Sequence, residues 1–329
     1  MNRCKLPRHL GWCFAMLLAL LPGVESAVLA QGYPTKAISL VVPFPAGGRT
    51  DLIGRIVAQH LQGYLNTTVV IVNKPGASGV LGSLEVRQAA PDGYTLGFFS
   101  TSFITAQYTV STPIVIKEYD LFAIVNVDPA AVAVNETAPW KTLAQVVDHA
   151  RKNPGKVSIG MIPGASAQIF AGALAKAAGG LKLIEVPFKG DADGAVALAG
   201  GHIDLHVAVP VAYKALVAAK KVRVLAVAAE ERSPLYHDIA TFRENGVDLV
   251  IGAFHGIYGP RGLPAEVRDT LIAAIEKTMT SKGLVEQMTT AGAGILFRKD
   301  EAATAFLAQQ DAAYRQIIDD LGMRVKQKK

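Results

Sequence analysis

Short apolar runs alternate with helix-spaced segments along almost the whole chain from residue 37, and no other feature restricts its fold as strongly. Residues 38–42 (ISLVV) are a β-branched run stopped by Pro43, long enough for a strand and too short for a helix. After the loop PFPAGGRTD, Leu52, Ile53, Ile56, Val57 and Leu61 recur on one helical face. A strand at 69–72, a helix at 80–90, a Pro-Asp-Gly turn and a strand at 96–99 follow. The same order returns later. Helices are predicted at 143–151, 166–178, 266–280 and 301–320, and strands at 157–159, around Val186, at 203–209 and at 222–227. Parallel strands need crossover helices, so this grammar predicts an α/β protein with mostly parallel sheets and flanking helices. At 329 residues there is chain enough for about two such domains. The tetrapeptide Pro-Gly-Ala-Ser occurs at 75–78 and again at 163–166, each time between a strand and a helix, which fits two similar lobes.

The first thirty residues do not follow this grammar. Arg3, Lys5 and Arg8 precede the apolar run 12–21, Pro22 and Gly23 break it, and Val28 and Ala30 occupy the −3 and −1 positions of a cut after Ala30. That is the pattern of a secretory signal peptide; an apolar stretch of this length rises only about 15 Å as helix, half a bilayer core. Both cysteines, Cys4 and Cys13, lie in this segment. Its removal also takes three basic residues and Glu25, lowering the formal charge from +6 to +4. The expected mature protein is exported, soluble and free of cysteine. Its charge is too weak to indicate nucleic acid.

Two strand-to-helix corners carry the ligand chemistry. In PFPAGGRTD, Gly47 and Gly48 let backbone approach a ligand, and the helix that follows aims unpaired N–H groups into the same space. Arg49 adds a cation and Thr50 a hydroxyl, while Asp51 suits a helix cap. The same loop also reads as a tight turn without a ligand. Ser166 and Gln168 stand at the equivalent corner of the second half, either capping a helix or meeting a ligand, and Ser100 follows a strand, where ligands of open sheets collect. His255 lies near an expected crossover between lobes, as a cleft residue or a packed one.

Other chemistries are missing from the sequence. It has no phosphate-binding Gly-x-x-x-x-Gly-Lys-Ser/Thr run, no His-Glu-x-x-His, no Gly-x-Ser-x-Gly elbow and no dinucleotide fingerprint. His202, Asp204 and His206 alternate on one strand, read as strand-end residues rather than a metal site, so neither a metal nor a cofactor is expected. An exported hydrolase with Ser166 or Ser78 as nucleophile stays open as an alternative, though no His and Asp are placed to activate either. A periplasmic sensor subunit is the other alternative.

The runs YPTKAISLVVPFPAGGRTDLIGRIVAQHL, NKPGASGVLGSLEV, APDGYTLGFFS, NPGKVSIG, VPFKGDADGAVALAGGHIDL, VRVLAVAAEERSP and GIYGPRGLPAEV resemble, in order and spacing, the Bug-type receptors of tripartite tricarboxylate transporters. The resemblance covers the chain after residue 30. It implies a two-lobed Venus-flytrap periplasmic binding protein of type II-like build, non-catalytic, with lobe 1 at 31–133 and 254–329 and lobe 2 at 134–253. It further implies a monomer that holds a small organic carboxylate between its lobes and delivers it to the membrane subunits of a tripartite transporter. Carried over by motif, first-lobe contacts fall on Phe44, Ala46, Gly47, Gly48 and Thr50, and second-lobe contacts on Ala165, Ser166 and Gln168. Lys189 and Gly190 match a YKG-like motif, here FKG. Two departures stand out: Ile169 replaces a histidine usual in relatives, suggesting a bulkier or more apolar ligand, and Arg49 replaces a small residue, suggesting a second acidic group to pair with it.

Overall fold

The computed structural model describes residues 32–111, 114–162, 166–232 and 235–325, so the expected signal peptide and the basic tail 326–329 lie outside it. The described chain runs β1 (Ile38–Val42), α1 (Arg49–Leu65), β2 (Val69–Asn73), α2 (Val80–Gln88), β3 (Thr95–Ser100), α3 (Ser102–Thr109) and β4 (Tyr119–Pro129). It continues with β5 (Ala131–Asn135), α4 (Leu143–Lys152), β6 (Val157–Met161), α5 (Ser166–Ala177), β7 (Leu183–Pro187), α6 (Asp191–Ala199), β8 (Leu205–Ala208), α7 (Lys214–Ala218) and β9 (Val222–Val227). It closes with β10 (Gly252–Pro260), α8 (Ala265–Thr280), α9 (Lys282–Thr290), β11 (Arg298–Lys299) and α10 (Asp300–Asp320). Among these residues no helix is long and apolar enough to cross a membrane.

The strands form a six-stranded sheet, β11-β4-β10-β3-β1-β2, and a five-stranded sheet, β7-β6-β8-β5-β9. Both are mixed rather than mostly parallel. β1 pairs in parallel with β2 and β3, and β6 with β7 and β8, but β4, β5, β9 and β10 make antiparallel pairs. The reason is connectivity. The chain leaves the first sheet along β4, turns through Ala130 directly into β5, and returns along β10, with no crossover helix to reverse its direction. Sheet membership therefore changes at residue 130, and again between 227 and 252.

Burial explains why these segments are strands and helices. β1 lies inside its sheet with Ile38, Leu40, Val41 and Val42 buried, and α1 packs Ile53, Ile56, Val57 and Leu61 onto it. Burying each such side chain contributes about 1.5–3 kcal/mol. Asn66, left-handed at φ 49°, ends α1. A second apolar cluster takes residues from both sheets: Phe99, Phe254 and Tyr258 join Val132, Leu174 and Leu225, with Tyr314 and Ile318 of α10. The Tyr314 hydroxyl donates to the Gly252 carbonyl, and Asp320 at the end of α10 pairs with Lys176 of α5. Where β10 crosses β4, a Cβ on Gly252 would stand 2.3 Å from the Asp128 carbonyl oxygen. Only glycine permits that approach.

Candidate functional site

The carboxyl ends of β1, β3, β6 and β8 open onto one cavity of ≈ 300 Å³. Its wall includes residues at the starts of four helices: Thr50 of α1, Ser102 of α3, Ser166 of α5 and Asp191 of α6. Converging helix starts supply unpaired N–H groups and partial positive charge, and the hydroxyls of Ser78, Ser100 and Ser166 add donors. Roomier grooves exist, ≈ 650 Å³ between β4, β10 and α10 and ≈ 540 Å³ beside α3 and α10, but no set of helix starts converges on either. Polar chemistry rather than volume makes the smaller cavity the candidate site.

The loop before α1 is held from within. Gly47 takes φ 83°, and its N–H donates to Asp51 Oδ2 at 2.9 Å. Asp51 stands third in the helix and reaches back past Gly48, the capping position, which has no side chain to offer. Asn73 ties the loop to β2, donating to Asp51 Oδ1 at 2.8 Å and to the Phe44 carbonyl at 3.0 Å. Burial pushes the Asp51 carboxyl up, but bonds from Arg55, Gly47 and Asn73 outweigh it and hold it below the usual carboxylate range. Across the cavity mouth, Ala77 and Ser78 are both left-handed, at φ 47° and 55°. Two adjacent non-glycine residues in that region store strain of about 1–2 kcal/mol each.

Arg49 and His255 line the cavity, yet both are already engaged. Arg49 donates through Nη2 and Nε to Asp128 Oδ2, at 2.7 and 3.1 Å, and to the carbonyls of Ala291 and Gly292. Its charge is therefore matched by a carboxylate of β4, which leaves no net cation for the second acidic group expected from the sequence. His255, on β10, is buried and stacks on Phe98. Asn126 fixes its tautomer: the amide nitrogen of Asn126 faces the Gly294 carbonyl, so its oxygen accepts from His255 Nδ1 at 2.6 Å. Nε2 is then left to accept from the Thr50 hydroxyl at 3.2 Å. Burial, with Arg49 adding repulsion, pulls the His255 pKa down to about 3, so the ring is neutral at physiological pH. His255 positions Thr50 and does not meet an anion as a charge.

Similarity to known proteins identifies the family and the fold. The family described as the tripartite tricarboxylate transporter family receptor matches residues 53–323. This chain belongs to that family. The UPF0065 protein of the gbd 5' region of Cupriavidus necator is 29% identical over 315 residues, 94% of each chain. A TctC solute-binding protein from Polaromonas superposes with a TM-score of 0.77 at 31% identity, over 88% of this chain and 99% of that one. MatC of Rhodopseudomonas palustris, solved with bound malate, superposes with a TM-score of 0.72 at 25% identity, over 88% and 99%. Family and fold are thus those of solute-binding proteins, and the sheet pair described above is the frame of such a receptor.

Within this receptor the structure gathers some of the residues that the sequence singled out. Phe44, Arg49, Thr50, Ser100, Ser166 and His255 line the cavity. Ala46, Gly47 and Gly48 are exposed beside it, Gln168 is half-buried on α5 outside the lining, and Ala165 lies outside the described residues. Ile169 is buried in the core rather than at the cavity wall, so the loss of a histidine there does not make the wall more apolar. Lys189 and Gly190 do not line the cavity either; the next residue, Asp191, does. The sequence reading passed over it, although FKGD puts an acid at a strand-to-helix corner much as GGRTD does. Of the alternating trio, Asp204 accepts from the Ser158 N–H and hydroxyl while His206 packs against Tyr213, and among the described residues no group of metal-ligating side chains is assembled.

Proposed function

We propose that this chain is an exported periplasmic receptor that captures a small organic carboxylate between two lobes and presents it to the membrane subunits of a tripartite transporter. The lobes are the two sheets with their helices, dividing at residue 130 and between 227 and 252. The observation that carries the reading is the convergence of helix starts from both sheets on one hydroxyl-lined cavity, an anion site whose halves belong to different sheets. A ligand that touches both halves favours their approach, and that differential contact is the signal for a permease. Bound malate in MatC, a relative by fold and sequence, supports the ligand class. The N-terminal basic and apolar pattern supports export, and the chain acts as a monomer without catalysing a reaction. A serine hydrolase gains nothing from the site: Ser78 and Ser166 line it, but the histidine there bonds Thr50 and Asn126.

A thermal-shift screen of the purified protein against malate, citrate and a panel of mono- and dicarboxylates tests this. At least one acid should raise the melting temperature and titrate one-to-one in a calorimeter without being consumed. A shift produced only by uncharged solutes, or turnover of the bound acid, would overturn the reading.

A further inference from the structure

Asp191 is the anomaly of the cavity. It is the first residue of α6, it lines the cavity wall, and its Oδ1 is inaccessible to solvent and has no hydrogen-bond partner. Among the described residues it forms no ion pair, and burial is the one influence on its carboxyl, with no neighbouring cation to offset it. An acid at a helix start ordinarily favours the helix dipole. Asp193 already provides that on the exposed side of the same turn, so α6 does not require a second acid facing inward. The remaining charges of the cavity do not balance Asp191 either. Arg49 is matched by Asp128, and His255 is neutral. The site therefore combines a surface of helix starts and hydroxyls suited to a carboxylate with one unmatched carboxylate, that of Asp191, on the second-sheet side. A plain dianion would set like charges together there.

We propose that Asp191 determines specificity by pairing with a protonated amine of the ligand, so that this receptor takes an amino carboxylate in preference to the plain acid of the same length. The assignment rests on the receptor reading given above. In it, the ligand carboxylate sits at the hydroxyl-lined starts of α1, α3 and α5, and its ammonium meets Asp191. The pairing gives the carboxylate that lines the wall a cation that no described residue supplies, and a site with an unpaired charge of this kind rejects an analogue that lacks the matching donor.

Calorimetric titrations of matched pairs test the assignment: succinate with aspartate, glutarate with glutamate, and pentanoate with 5-aminopentanoate. Each is run on the wild type and on Asp191→Asn and Asp191→Ser, with melting curves confirming that both variants fold. In the wild type the amino member of at least one pair should bind at least about 100-fold more tightly than its plain partner. In both variants that preference should collapse, the plain acid binding as well as before or better. Equal affinities within every pair that binds, or a preference that survives both substitutions, would overturn the role of Asp191 and leave the receptor reading standing. No binding by any acid of the panel would overturn both.

Discussion

At the scale of single residues, the cavity shows how poorly formal charge predicts availability. Arg49 looks in the sequence like the cation of an anion site, but nothing there shows that Asp128, far along the chain, will claim it. The Asp128 side chain is only 3% exposed, so Arg49→Ala strands a buried carboxylate and should cost about 3 kcal/mol without any ligand present. Urea unfolding checks this, and adding Asp128→Asn should restore part of the loss; an Arg49→Ala protein of unchanged stability would contradict the clamp. Asp191 makes the opposite case. Burial lifts its pKa to about 6 from an ordinary 3.8, so between those values the folded state holds more protons than the unfolded chain and stability falls as pH rises. His255 and His206, pulled by burial down to about 3 and about 4, work the other way and lose stability as the pH drops below about 6.5. Asp191→Asn should therefore melt a few degrees above the wild type at pH 7.5, converge with it near pH 4, and show a steeper gain between. Equal shifts at both pH values would speak against a buried, raised carboxyl.

At the scale of elements, the sequence is a reliable guide where a helix faces water on one side and core on the other, and where a short β-branched run is buried as a strand. α1, α4, α8 and α10, and β1, β6 and β9, stand where apolar spacing predicted them. β4 and β10 escaped that reading because they carry Asn126, Asp128 and His255, polar residues turned toward the site, and because their pairing is interrupted by irregular register. α3 and α6 escaped it for want of a pattern: SFITAQYT has no side-chain cap, and DADGAVALA is built mostly of small residues. Of these elements α3, α6 and β10 bring Ser102, Thr105, Asp191, Ala253 and His255 to the cavity wall, so that part of the site was less legible than the fold. Their contact is exacting. Gly252→Ala drives a Cβ into the Asp128 carbonyl on the neighbouring strand, where backbone cannot yield as a side chain can, and should cost about 2–3 kcal/mol. A denaturation midpoint shared with wild type would show that the crossing strands have slack.

For the whole molecule, the proposed ligand would link two sheets already joined by β4, β10 and an apolar cluster that runs through both. A ligand bound only to the native state at a hundred times its Kd adds about 2.7 kcal/mol to stability. For a chain of this length that corresponds to a rise of roughly 5 °C in melting temperature, readable by calorimetry at increasing ligand concentration. Loss of the Lys176–Asp320 pair through Asp320→Asn, an exposed contact at the end of α10, should change stability by less than about 1 kcal/mol and leave affinity intact.

The threading of the two sheets carries one more consequence, for the order of events as the chain emerges from a pore. All five strands of the second sheet lie between residues 131 and 227, so that sheet can close as soon as its own segment is out. The first sheet cannot. β10 is inserted between β3 and β4, both synthesised long before it, and until residue 260 has appeared those two strands face each other across an empty slot with bare edges. Exposed edges of that kind invite pairing with other chains. The hazardous moment for this protein is thus a delay in delivery rather than a weakness of the finished fold.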